Sequence, residues 1–81
     1  MNTDTKATVM DIIAAIAPDA DLNELAGDQD LREALDIDSM DHLNIIIAIH
    51  DRFGIEIPER DYGKLVTVDQ LLTYIESKRA N

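Results

Sequence analysis

Apolar residues recur at helical spacing in three segments of the chain. In the first, Val9, Ile12, Ile13 and Ile16 stand at i, i+3, i+4 and i+7, the spacing that lines one face of a helix. Thr3 or Asp4 is available as its cap, and Pro18 stops it, because proline has no N–H to offer the preceding turn. In the last segment Val68, Leu71, Leu72 and Ile75 repeat the pattern. Thr67 and Gln70 open it at capping-box spacing, and Lys78 and Arg79 close it with the charge that suits the end of a helix dipole. The middle segment runs from about Ser39 to Phe53. Advancing about 100° per residue, Ile45, Ile46, Ile49 and Phe53 share one arc of roughly 100° and form a core stripe.

Two unequal connections join these segments. Residues 18–38 predict a long link with a helical turn or two, pinned by Leu22, Leu25, Leu31 and Leu35. Residues 54–66 hold Gly54, the apolar stretch Ile55–Ile57, Pro58 and one short helix over 59–64. The 81 residues are enough for one small core and no second one. The expectation is an all-α, four-helix bundle, three helices long and one short, with a long loop between helices one and two, in a single domain spanning residues 1–81.

The middle helix carries a second apolar stripe. Met40, Leu43 and Ile47 lie on a different arc, bordered by Asp41, Asn44 and Asp51. Leu43 is divided evenly between packing under the long link and facing outward. Met40 and Ile47, next to polar neighbours, read as a docking surface. Asp38 is placed as N-cap, its carboxylate accepting from the N–H of Met40 or Asp41. Ser39 then falls at the first helical position, with its hydroxyl outward.

Composition narrows the chemistry. Apolar residues make up 46% and aromatic residues 4%, so the core is aliphatic. There is no cysteine, which removes disulfides and thiolate metal sites and means that any thiol must arrive on a cofactor. No apolar run approaches the ~20 residues of a membrane span, and "MNTDTKATVM" lacks the apolar block of a signal peptide. A soluble cytoplasmic monomer without membrane insertion is the expectation. The net charge is −10, and residues 19–41 hold nine acids against one base, Arg32. Nucleic acid is disfavoured as a partner and basic protein surfaces are favoured.

Three chemistries could explain Ser39. A nucleophile needs an oriented base. His42, three residues on, could reach it, but no Gly-rich turn accompanies it. His42 sits at the core's edge on the helical wheel, and His50 reads as plain surface. Calcium is suggested by Asp19, Asp21 and Asn23 in "DADLNELAGDQD", but Glu24 stands where an EF-hand needs glycine and Asp30 where it needs glutamate. No specific metal site is expected. Covalent modification by a basic-surfaced transferase fits better, since a phosphodiester at a helix start meets free N–H groups and the positive dipole end.

The stretch "LDIDSMDHLNIIIAIHDRFGIEIP", with "LVTVDQLLTYI" after it, resembles the acyl carrier protein family. The similarity covers residues 30 to 75 well. It implies 4′-phosphopantetheine attached to Ser39 by a phosphopantetheinyl transferase. It also implies a non-enzymatic carrier of acyl thioesters for acyl-transferring or condensing enzymes of fatty-acid, polyketide or related lipid biosynthesis. By position, Asp38, Met40, Asp41, Ile47 and Asp51 would dock partners, and Ile45, Ile46, Ile49, Leu71 or Leu72 would line an acyl cavity. Asp36 stands where the family usually has glycine. Asn44, His50 and Arg52 stand where housekeeping fatty-acid carriers commonly have glutamate, which implies a specialised member. The alternative is a non-covalent acidic adaptor.

Overall fold

The computed structural model describes residues 3–79, the side chain of Thr3 excepted. Three long helices form as the periodicity predicts: α1 (Thr3–Ile16), α3 (Ser39–Phe53) and α4 (Val68–Arg79), with a one-turn α2 (Leu31–Ala34) in the long link. The short element expected over 59–64 is a 3-10 helix, Glu59–Lys64, and a further 3-10 turn occupies Leu22–Glu24. Helix α1 packs on α3 and α4, and α2 packs on α3. The capping role assigned to Thr3 lies outside the described side chains, and Asp4 falls inside the first turn rather than before it.

The core is aliphatic, as so few aromatic residues require. Val9, Ile13, Leu31, Ile45 and Ile75 are fully buried, with Ile46, Ile49, Leu65, Leu71 and Leu72 nearly so. Burying a side chain of this size stabilises the fold by about 1.5–3 kcal/mol, so these positions dominate its energetics. Phe53 only borders the cluster, with the Arg79 guanidinium 5.7 Å from its ring centre. Arg79 also donates to the buried Thr5 hydroxyl at 3.2 Å, fastening the end of α4 to the start of α1.

The link is held by its leucines and by local carboxylates. Leu31 is buried, while Leu22, Leu25 and Leu35 pack against the core edge. Asp21 accepts from the Asn23 N–H at 3.0 Å, and Asp30 accepts from the Arg32 N–H at 2.9 Å, so each caps a short turn. Two backbone bonds tie the link to the start of α4, Leu31 N–H to the Val66 carbonyl at 2.7 Å and Asp69 N–H to the Gly27 carbonyl at 3.0 Å. A Cβ on Gly27 would meet only the carboxylate end of the exposed Asp69 side chain, which can swing aside.

Helix α2 ends in a Schellman turn. Asp36 takes φ +53° and Ile37 N–H reaches back to the Arg32 carbonyl at 3.2 Å, the bond that marks this termination. Helix α3 ends on Gly54 with φ +64°. Helix α4 opens with the capping box in full, Gln70 N–H to the Thr67 hydroxyl at 3.1 Å and Thr67 N–H to Gln70 Oε1 at 3.2 Å.

Candidate functional site at the start of helix α3

Asp38 has extended backbone and its carboxylate accepts from the Asp41 N–H at 2.9 Å. Of the two acceptance routes foreseen, the structure uses Asp41. The first helical bond runs from His42 N–H to the Asp38 carbonyl at 3.1 Å. The N–H groups of Ser39 and Met40 therefore have no intrahelical partner. Ser39 is exposed between them, at the positive end of a 15-residue helix. An anionic ester on its oxygen would meet both N–H groups, so the residues present fit a phosphodiester-linked group.

The five docking candidates run along α3 from this start, Asp38 at its cap and Asp51 in its last turn. Met40 is 61% and Ile47 45% exposed, the large apolar side chains most open to solvent among the described residues. At about 100° per residue, Met40, Ile47 and Asp51 fall within about 40° of one another and opposite Ile49, whose side is the core. Asp38 and Asp51 are exposed and Asp41 partly so. Leu43, divided in the sequence reading, is half-buried. The five cavity candidates are together in the core: Ile45, Ile46, Ile49, Leu71 and Leu72 are each at most 2% exposed.

Both histidines grip backbone. His42 is buried, and its Nε2–H donates to the Leu65 carbonyl at 2.7 Å. Its ring is thus fixed inward instead of serving Ser39 as a base. His50, read from the sequence as plain surface, is exposed yet donates Nδ1–H to the Ile55 carbonyl at 2.6 Å. The reading missed this because the acceptor is a loop carbonyl that exists only once Gly54 reverses the chain. Tyr74 was missed for a related reason. Its hydroxyl donates to Asp61 at 2.8 Å, and burial, that bond and the Asp61 charge push its pKa up to about 12.

The acidic stretch that suggested calcium is organised as caps and an ion pair. Asp30 pairs with Arg32 at 3.2 Å, and that hydrogen-bonded guanidinium lowers the Asp30 pKa. Among the described residues no three carboxylate or imidazole groups converge as a metal site. Among the described residues no helix is long and apolar enough to cross a membrane.

Comparison with known proteins agrees with this geometry. The phosphopantetheine attachment site family matches residues 7–75, a span that contains Ser39. An acyl carrier protein of Campylobacter hominis is 36% identical over 67 residues, 83% of this chain and 80% of its own. One from Thermosynechococcus vestitus is 31% identical over 93% of this chain and 96% of its own. A solution structure from Anaplasma phagocytophilum, assigned to the acyl carrier proteins, superposes with a TM-score of 0.85 at 33% identity, covering 94% of this chain and 89% of that one. The match to an attachment site favours a covalent carrier over a non-covalent adaptor. The chain belongs to the acyl carrier protein family, whose members are phosphopantetheine-bearing carriers and not enzymes.

Proposed function

We propose that Ser39 is the single attachment point of 4′-phosphopantetheine, and that the protein holds acyl groups there for partner enzymes of lipid or polyketide assembly. The observation that carries the reading is the exposed Ser39 at the Asp38-capped start of α3, with two N–H groups beside it. In the attachment step the serine oxygen forms a bond to phosphorus as the pyrophosphate bond of coenzyme A breaks. Adenosine 3′,5′-bisphosphate leaves and the serine proton passes to solvent or the transferase. When bound, the arm supplies the thiol that this cysteine-free chain lacks. The chain's own part is to present the serine, offer N–H groups to the phosphodiester and keep a docking face clear of the core.

That face comprises Asp38, Met40, Asp41, Ile47 and Asp51. Its exposed apolar pair bordered by carboxylates suits a partner surface of basic and apolar character, with charge acting mainly on encounter. Ile45, Ile46, Ile49, Leu71 and Leu72 are the aliphatic packing on which a bound chain would abut. Asn44, His50 and Arg52 are exposed on α3, and they support service to a specialised partner set rather than to the general fatty-acid machinery.

Intact-mass measurement after incubation with a phosphopantetheinyl transferase and coenzyme A tests the assignment. One phosphopantetheine is expected on the wild type and none on Ser39→Ala. Modification of the alanine variant, at Ser77 or any threonine, would overturn it.

A further inference from the structure

The chain has three methionines and no cysteine, so its only oxidisable sulfur is thioether. Met10 and Met40 sit in unlike places. Met10 lies on α1, half-buried and packed against the core cluster. Met40 is the second residue of α3 and is 61% exposed, more than any other large apolar side chain among the described residues. Susceptibility to peroxide follows exposure, which puts Met40 ahead of Met10.

The place of Met40 makes its oxidation consequential. A helical side chain leans toward the N-terminus of its helix, so Met40 covers the turn that presents Ser39. With Ile47, seven residues on, it forms the exposed apolar pair of α3. The groups bordering that pair are Asp38, Asp41, Asn44 and Asp51, three carboxylates' worth of acceptors more than the pair itself has and one amide. A sulfoxide adds a further acceptor, at the point where a partner's apolar surface would close. A polar group buried there without a donor is costly. The Asp38 cap and the first helical bond do not use the Met40 side chain, so oxidation alters the face and leaves the fold.

We propose that Met40 is a reversible oxidation site that controls the loading of Ser39. The sulfur lone pair attacks a peroxide oxygen, the O–O bond breaks, and a sulfoxide S–O bond forms as water or an alcohol leaves. Sulfur gives up two electrons and the peroxide takes them. A methionine sulfoxide reductase, drawing two electrons from a dithiol, returns the thioether and releases water. While oxidised, the chain is a poor transferase substrate and stays unloaded. The inference rests on the assignment of Ser39 as attachment point and of Met40 to the docking face.

The test applies hydrogen peroxide to the unloaded protein and removes it before the transferase is added. Peptide mapping by mass spectrometry should place added oxygen on Met40 before Met10. Transferase kcat/KM should then fall about tenfold, which corresponds to losing much of the burial of one methionine side chain. Tm should stay within about 3 °C, as for other surface changes. Methionine sulfoxide reductase with dithiothreitol should restore the rate. Met40→Leu retains Met1 and Met10, and it should load within about twofold of the wild type and ignore peroxide, since leucine conserves volume and polarity. Met40→Gln, polar and of similar length, should load slowly with no peroxide at all. Oxygen arriving first on Met10 would overturn the proposal, as would an oxidised protein that loads at the original rate. So would a loss that Met40→Leu shares, that Met40→Gln does not reproduce, that the reductase does not reverse, or that tracks a fall in Tm. A wild type that takes no phosphopantetheine before any peroxide is a separate result, seen by intact mass, and would overturn the Ser39 assignment itself.

Discussion

His50 Nδ1 stands 2.6 Å from the Ile55 carbonyl, bracing the turn where Gly54 takes φ +64° at the end of α3. A carbonyl can only accept, so Nδ1 carries the proton. Glutamate, the residue common here in housekeeping fatty-acid carriers, has no donor and would set a negative charge against the carbonyl end of the helix. His50→Glu should therefore cost about 1–2 kcal/mol, the lost hydrogen bond accounting for about 1 of it. Asparagine places an N–H where Nδ1 is, so His50→Asn should stay within about 0.5 kcal/mol of the wild type. Urea unfolding measures both. A His50→Glu variant as stable as the wild type would show that the bond contributes nothing.

Asp36 occupies the left-handed position of a Schellman turn, where glycine is the usual residue because it has no Cβ to strain. The left-handed conformation costs an L-residue roughly 1–2 kcal/mol, somewhat less for aspartate. Asp36→Gly should be more stable than Asp36→Ala by about 1 kcal/mol. Denaturant melts of the two variants give the difference directly. Equal stabilities would mean that the turn is not under backbone strain.

Much of this was legible in the sequence because the signals are local. A period of 3.6 marked the core faces of Ile12, Ile45 and Leu72. The Asp38 cap and the Thr67–Gln70 box are read within four residues, and the leucines of the link showed where it would be pinned. What escaped depends on chain segments that meet only after folding. His42 finds Leu65 and Tyr74 finds Asp61 across 23 and 13 residues. The Gly27 carbonyl meets the Asp69 N–H of α4 only once the link has folded back. The acids at 21 and 30 were weighed as metal ligands because ligation and capping draw on the same residue type. Only backbone geometry separates the two uses.

Tyr74 gives the fold a pH dependence at the alkaline end. Its phenol has a folded pKa of about 12 against an ordinary 10.0. The folded state thus holds the proton more tightly than the unfolded chain. The stabilisation is complete below pH 10 and is lost as pH rises from there through about 12. Tyr74→Phe should lose about 1 kcal/mol at neutral pH, the net worth of one hydrogen bond. It should also show a shallower fall in stability across the alkaline window. Circular dichroism melts of both proteins across that window decide it, and parallel curves would rule out Tyr74 as the responsible group.

Asp38 is asked to do two things, cap α3 and attract a basic partner, and two substitutions separate them. Asparagine caps as well as aspartate, so Asp38→Asn should leave stability nearly unchanged, whereas Asp38→Ala should cost about 0.5–2 kcal/mol. The charge effect is shared by both variants. An exposed charge is worth about 0.2–1 kcal/mol, so Asp38→Asn should lower the transferase kcat/KM by up to about fivefold. That loss should shrink with added salt, which screens exposed charges beyond about 10 Å at 0.1 M. Asp38→Ala should lose more, and the excess should persist in salt, because a frayed first turn misplaces the Ser39 hydroxyl. The measurement is transferase kinetics on wild type and both variants at low and high salt. If asparagine and alanine fall equally and recover together, the cap has no part in presenting Ser39. If asparagine has no effect at low salt, Asp38 is a cap alone and the docking face begins at Met40.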